Sequence, residues 1–293
     1  MWRRVAGAVL FAVLTSVAAL GQEQAGYLDV YIAHVKPEKR AEFDAVNKKI
    51  ADANRRNKGD TWIALETTYG ELNTVRFVST RGSYADVEKA FGAFMGAINK
   101  AYGPAGGAKL FQDFTGTLES ARSEVRRRRW DLSYNPPTDA AAGMRAVGNA
   151  RWIRTVIVHV RPGHAPEFEA FLKEINAASQ RSNSPGMRWV SEAAEGGRAG
   201  TYYISRLLSS LSELDQTPSL QQMLGEEGYE KFQKLNAEAV ASAQFEIYRI
   251  LPEISNPPAE TAAAAPDFWN PKPKSAAKPK AEAQPKPAAN PNP

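Results

Sequence analysis

The sequence predicts an α+β fold built from two tandem copies of one βαββαβ unit. Two observations carry this prediction: an internal repeat, and the same order of strand-like and helix-like segments in both copies. Residues 34–57 align with residues 159–182 at ten identical positions out of 24. The similarity extends to the end of each copy, so one unit is predicted over residues 26–134 and the other over residues 151–255.

Each copy opens with a strand that leads into an amphipathic helix. Residues 27–35 and 152–160 are rich in β-branched and aromatic side chains, and a proline follows each run. Apolar residues then recur at spacings of three and four, which is typical of a helix with one buried face. This stripe consists of Phe43, Val46, Ile50 and Ala53 in the first copy and of Phe168, Phe171, Ile175 and Ala178 in the second.

The second half of each copy predicts a hairpin, an interrupted helix and a final strand. The predicted strands are 61–69, 74–80 and 123–132 in the first copy and 187–194, 201–206 and 245–251 in the second. The second helices are interrupted by Tyr102-Gly103-Pro104 in the first copy and by the segment from Gly225 to Gly228 in the second. The order βαββαβ is that of the ferredoxin-like unit, a four-stranded sheet with its helices on one face. Two such sheets can close on each other as a barrel with the helices outside.

The segment HVKPEKRAEF, residues 34–43, combines a strand end, a proline and a Glu-Phe helix start. It resembles the opening of members of the dimeric α/β-barrel superfamily, which includes the antibiotic-biosynthesis-monooxygenase-type domains. The resemblance covers both repeats and implies that one polypeptide makes the barrel that two chains usually form, which leaves homodimerisation optional. The resemblance specifies the fold well but specifies the chemistry poorly, because this fold carries several different activities. The function therefore has to be argued from the site.

Both ends of the chain differ in composition from the repeats. In residues 1–21, Arg3 and Arg4 precede an apolar run that ends in small residues, which predicts a secretory signal peptide cleaved near Gly21. The protein is therefore expected to be exported, to the periplasm or the cell exterior. A retained anchor is the alternative, although the run falls short of the roughly 20 residues that cross a bilayer.

The C-terminal residues 256–293 predict a disordered tail, after a linker at residues 135–150 between the repeats. The tail contains ten of the 19 prolines, eleven alanines and five lysines, a composition that cannot bury enough apolar surface to fold. Two interpretations stay open: a solubilising tail without a partner, and a cationic tether to an anionic cell surface. Because the two ends carry most of the net charge of +5, the folded core is nearly neutral.

The composition also excludes several kinds of site. The chain has no cysteine, so disulfides and thiolate ligands are excluded, and its three histidines leave little for a multi-histidine metal site. Neither a cofactor nor a metal is expected. Four consecutive arginines at residues 126–129 resemble a nucleic-acid patch. On a strand, however, successive side chains alternate, so two arginines point each way and no nucleic-acid partner is expected.

Ionisable residues that recur in both copies are the candidate catalytic residues. His34 is predicted to lie beside Glu124, and His159 beside Glu246, because the end of the first strand neighbours the start of the last strand in a ferredoxin-like sheet. A carboxylate next to an imidazole suits it for general-base catalysis. The alternative is that a histidine at a strand end has a purely structural role.

A second set of residues is predicted to bind a ligand inside the barrel. Arg127 and Arg249 would bind a carboxylate or enolate if they point inward, or would form structural ion pairs with glutamates at the rim. The aromatic candidates on the hairpin strands are Trp62, Trp189, Tyr202 and Tyr203. Packing in the core is the alternative role for these aromatic side chains.

Three functions follow as hypotheses, and whether the protein is an enzyme stays open. The first is an exported protein that binds a small apolar or aromatic molecule in the barrel. The second is a cofactor-independent monooxygenase that acts on an aromatic substrate, with His34 or His159 as the base. The third is a haem-binding protein with one of these histidines as the axial ligand, which equivalent histidines in both halves fit poorly.

Overall fold

The computed structural model of the protein describes residues 26–270, which form eight β-strands and seven α-helices. The strands are β1 (Tyr27–Val35), β2 (Ile63–Tyr69), β3 (Thr74–Arg81), β4 (Leu118–Arg128), β5 (Trp152–Val160), β6 (Trp189–Glu195), β7 (Thr201–Leu208) and β8 (Val240–Ile250). The helices are α1 (Arg40–Asn57), α2 (Tyr84–Gly116), α3 (Ala140–Asn149), α4 (Ala165–Arg181), α5 (Leu220–Ala239), α6 (Ala259–Ala264) and α7 (Pro266–Trp269). The predicted signal peptide lies outside the described residues.

All eight strands belong to one closed antiparallel barrel in the order β1-β3-β2-β8-β5-β7-β6-β4. Each repeat contributes four neighbouring strands in the ferredoxin-like order, β4-β1-β3-β2 and β8-β5-β7-β6. Pairing of β2 with β8 and of β4 with β6 joins the two repeats, and we call these two junctions the seams. The predicted fold class, two ferredoxin-like units that form a barrel within one chain, is confirmed.

The long helices cover the outer face of the barrel. The predicted stripe of α1 is buried. Phe43 is fully buried, and its ring packs against those of Phe77 and Phe114 at centroid distances of 6.2 and 5.9 Å. Helices α2 and α5 are each kinked at a glycine with positive φ, Gly103 and Gly225, where the sequence predicts an interruption. Within residues 26–270, no helix has both the length and the apolar character that a membrane span requires.

The last strand of each repeat begins five residues earlier than the sequence predicts. Strand β4 starts at Leu118 rather than at residue 123, and β8 starts at Val240 rather than at residue 245. The added residues are largely exposed, so their side chains show no apolar alternation. They are held in the sheet by backbone pairing with β1 and β5.

Residues 256–270, which composition assigns to the disordered tail, pack on the barrel. Trp269 is buried and donates a hydrogen bond from its indole N–H to the carbonyl of Gly148 on α3 (3.0 Å). Helix α3, inside the predicted linker, packs closely on α6, because a Cβ at Gly148 would overlap the carbonyl oxygen of Thr261. The predicted tail boundary at Asn256 is therefore too early, and the remaining tail residues lie outside the described part of the chain.

Candidate functional site: a cavity inside the barrel

A cavity of about 190 Å³ lies inside the barrel at the end where β1 and β5 begin, which we call the cavity end. Its walls are mainly apolar side chains from the inner faces of the strands. They include Leu28, Ile63, Leu65, Val78, Ile153 and Leu207. Met144 and Val147 of α3, with Pro258 and Thr261 at the start of α6, cover this end. The segments assigned to linker and tail therefore complete the site.

A buried glutamate on β4 organises the polar interior next to the cavity. The side chain of Glu124 is almost inaccessible to solvent, and its Oε2 accepts hydrogen bonds from Arg126 Nε (2.8 Å) and from the Tyr203 hydroxyl (2.9 Å). The guanidinium of Arg126 stacks on the Tyr203 ring with its central carbon 3.5 Å from the ring centroid. Since Tyr203 belongs to the second repeat, this cluster links the two halves across the interior.

Glu246 on β8 organises the equivalent cluster in the other half. It accepts a hydrogen bond from Tyr248 (2.5 Å) and forms an ion pair with Arg76 (2.9 Å), whose guanidinium lies over the Tyr248 ring. Burial raises the pKa of Tyr248, so its hydroxyl stays protonated and acts as the donor. Arg126 on β4 and Tyr248 on β8 occupy equivalent positions in the two repeats, and so do Arg76 on β3 and Tyr203 on β7. Both repeats therefore contain an arginine–tyrosine stack, with the arginine and the tyrosine at exchanged positions.

The predicted proximity of histidine and glutamate is wrong in both repeats. His34 lies opposite Ser120 on β4, whereas Glu124 lies opposite Val30, four residues further along. The corresponding partner of His159 is Ser242 rather than Glu246. The early start of the last strands causes this difference, because it shifts which residue faces the histidine. Each histidine Nδ1 instead lies within hydrogen-bonding distance of a threonine hydroxyl, at 3.2 Å for His34 and 3.3 Å for His159.

Neither histidine is among the described residues that line the cavity. His34 is six residues along β1 from Leu28 in the cavity wall, about 20 Å at the rise of a β-strand, and His159 is four residues along β5 from Thr155, about 13 Å. The Glu71 carboxylate lies between His34 (3.6 Å) and Arg76 of the lining (3.7 Å).

Stability should depend on pH through His159. Burial, reinforced by the positive charge of Arg198, lowers the pKa of His159, so the folded protein resists protonating it. The unfolded chain then binds more protons as the pH falls below about 6.5, and stability present above that pH decreases. We expect His159→Gln to reduce the loss of unfolding free energy between pH 7.5 and 5.0, measured by urea denaturation. Equal losses in the variant and the unsubstituted protein would contradict this assignment.

The two arginines predicted to bind ligand lie on the outer surface of the seams. Arg127 pairs with Glu192 across β4 and β6, and Arg249 pairs with Glu66 across β2 and β8. More than half of each arginine side chain is exposed, and neither lines the cavity. Their geometry matches the structural alternative, an ion pair with a glutamate at the rim.

Among the predicted aromatic residues, Trp189 lines the cavity. Trp62 is buried on the helix side of the sheet, where its indole N–H donates to the carbonyl of Ile254 (2.9 Å). Tyr202 also faces the helices and donates to Glu169 (2.8 Å).

Arg128 and Trp130 both line the cavity, although neither is among the ligand-binding residues predicted from the sequence. The signal was present, because alternation along β4 places residues 124, 126 and 128 on one face and residue 127 on the other.

The comparisons with known proteins define the fold and leave the function open. No protein-family model matches the sequence, and no curated protein matches it. A solved structure of a candidate monooxygenase from Fusobacterium nucleatum is similar, with a TM-score of 0.51 and 11% identity over 78% of this chain and 93% of that chain. An anthrone oxidase-like protein is similar with a TM-score of 0.50 and 13% identity over 79% of this chain and 94% of that chain. At this identity the likeness establishes the dimeric α/β-barrel fold.

One further solved structure is that of a haem-binding protein from Thermus thermophilus. It has a TM-score of 0.45 and 11% identity over 78% of this chain and 93% of that chain.

Proposed function

We propose that the protein binds a small apolar or aromatic molecule in the barrel cavity, without catalysis. The observation that carries this proposal is a partly open cavity with mainly apolar walls inside a barrel in which Leu28, Val30 and Ile32 pack together. An apolar cavity of about 150 Å³ holds a benzene molecule. A cavity of about 190 Å³ therefore suits a single aromatic ring with a small substituent.

Oxygenation of an aromatic substrate is the alternative function, because the similar structures include a candidate monooxygenase and an anthrone oxidase-like protein. It has less support from the cavity, because the proposed bases His34 and His159 lie at the other end of the barrel. The one carboxylate in the lining, Asp139, caps α3 by accepting the backbone N–H of Ala142 (2.7 Å). Oxygen consumption on addition of hydroquinones would favour the oxygenase.

Haem binding also has little support from the residues present. The predicted axial ligands, His34 and His159, do not line the cavity.

We place this binding function outside the cytoplasm, on the basis of the sequence of residues 1–21. A mature N-terminus near Gly21 in the exported fraction would support that location. The five lysines of the predicted tail all follow Asn270, so a test of surface tethering should delete residues 271–293 and leave α6 and α7 in place.

A thermal-shift and calorimetric titration with toluene, benzyl alcohol and benzoate tests the proposed binding. We expect at least one of these to bind and to raise the melting temperature, because a ligand that binds only the folded state stabilises it. Met144→Trp, which fills the cavity from α3, should weaken that binding at least tenfold, whereas Arg145→Trp on the exposed face of the same helix should not. Absence of binding by all three compounds, or equal binding to both variants, would overturn the proposal.

A further inference from the structure

Two buried hydrogen-bond donors in the cavity wall have no acceptor within the part of the chain that the structure describes. Arg128 is the last residue of β4, and its guanidinium carbon lies 5.0 Å from the Trp130 ring centroid and 5.5 Å from that of Trp189. Its side chain makes no hydrogen bond or ion pair with any described residue; its Nε is buried, although the residue as a whole is half-buried. The indole Nε1 of Trp130 is likewise buried without a partner. These donors lie next to each other, since the guanidinium faces the Trp130 ring.

The other arginines in the lining are compensated. Arg76 is paired with Glu246, and Arg126 is paired with Glu124. Asp139 is the one carboxylate among the described lining residues; it caps α3 and forms no ion pair with Arg128. Arg128 is therefore a cation that faces a mainly apolar cavity and has no counter-ion among residues 26–270.

Leaving such a group unpaired is costly in a folded protein. Buried polar groups are almost always hydrogen-bonded, and a buried charge normally has a partner. Burial and the positive charge of Arg126 lower the pKa of Arg128 to about 10, so it remains protonated at neutral pH. An anion in the cavity would relieve both the unpaired charge and the unpaired indole donor.

We infer that the cavity is specific for a single-ring aromatic monocarboxylate, with the carboxylate bound by the Arg128 guanidinium and the Trp130 indole N–H. This inference rests on the proposed binding function and adds the charge of the ligand to it. A carboxylate has two acceptor oxygens, which suits one guanidinium donor and one indole donor. The ring would then contact the apolar wall that includes Ile63, Leu65 and Ile153.

Calorimetry with benzoate and with benzyl alcohol, its neutral analogue of similar size, tests the inference. The protein should bind benzoate at least tenfold more tightly than benzyl alcohol. Arg128→Gln should abolish this preference: its affinity for benzoate should fall at least tenfold, and its affinity for benzyl alcohol should stay within threefold of that of the unsubstituted protein. Arg127→Gln, on the adjacent outward-facing position, is the matched control and should retain the preference.

The melting temperature of the ligand-free variants separates a binding role from a structural one. Arg128→Gln should melt no lower than the unsubstituted protein, because it removes an uncompensated charge. Equal affinity for benzoate and benzyl alcohol, or an unchanged preference in Arg128→Gln, would overturn the inference and leave apolar binding intact. A lower melting temperature in Arg128→Gln with unchanged benzoate affinity would assign the arginine to the fold. If neither compound binds, the inference fails, and the proposed function fails as well when toluene also does not bind.

Discussion

Replacing Glu124 with alanine is expected to lower the free energy of unfolding by about 3–5 kcal/mol. Glu124 is the carboxylate that pairs with the buried Arg126, and it also accepts the hydroxyl of Tyr203 from the other repeat. Removing it leaves a buried guanidinium without its counter-ion and a buried hydroxyl without its acceptor. Urea denaturation followed by circular dichroism measures this loss.

Two further variants show whether the effect comes from the uncompensated charge. The double variant Glu124→Leu with Arg126→Met removes both charges and should recover most of the stability, because apolar residues can replace a buried ion pair. Glu253→Ala breaks an exposed pair with Lys48 and should change stability by no more than about 1 kcal/mol. A Glu124→Ala variant as stable as Glu253→Ala would show that the interior cluster contributes little.

Replacing Trp269 with alanine is expected to lower the free energy of unfolding by about 3–5 kcal/mol, the usual cost of removing a buried tryptophan. Trp269 is 2% exposed and shares an apolar cluster with Ala150 and Ile250. Its loss should also loosen α6 and α7 over the cavity, since the indole is bonded to Gly148 on α3. Denaturation gives the stability change, and limited proteolysis reports the loosening.

A chain that ends at Asn270 is the matched control for Trp269→Ala. It keeps every contact of α6 and α7 given above, so its stability should stay within about 0.5 kcal/mol of the full chain. Full stability in Trp269→Ala would show that the segment after Asn256 adds nothing to the barrel. A large loss on truncation after Asn270 would place stabilising contacts further along the chain.

The fold could be predicted because its signals are local and occur twice. The Phe43 stripe gives the helical period, and the runs at 27–35 and 152–160 give the first strands at their observed bounds. The duplication then supplies a second sheet, which explains how both sheets bury their inner faces. Alternation along residues 126–129 also separates the inward Arg126 and Arg128 from their neighbours.

The site could not be predicted to the same extent, because it depends on register. The exposed start of β4 has no apolar pattern, so the sequence does not indicate how it pairs with β1. His34 is therefore predicted to lie beside Glu124, whereas its partner on β4 is Ser120. The sequence also predicts ligand binding by Arg127 rather than by Arg128. Arg127 is three residues after Glu124 and therefore lies on the opposite face of the strand, whereas Arg128 is four residues after it and lies on the same face.

The sequence by itself determined the two repeats, the order of their elements and the barrel, since hydrophobic periodicity is a property of neighbouring residues. The tertiary structure alone decided which residues meet inside. It paired Glu124 with a tyrosine of the other repeat, left the buried Arg128 Nε without a hydrogen-bond partner among residues 26–270, and placed α3 and α6 over the cavity. These contacts join residues far apart in the chain, so strand register and packing determine them. Composition assigned residues 256–270 to a tail because composition carries no information about packing.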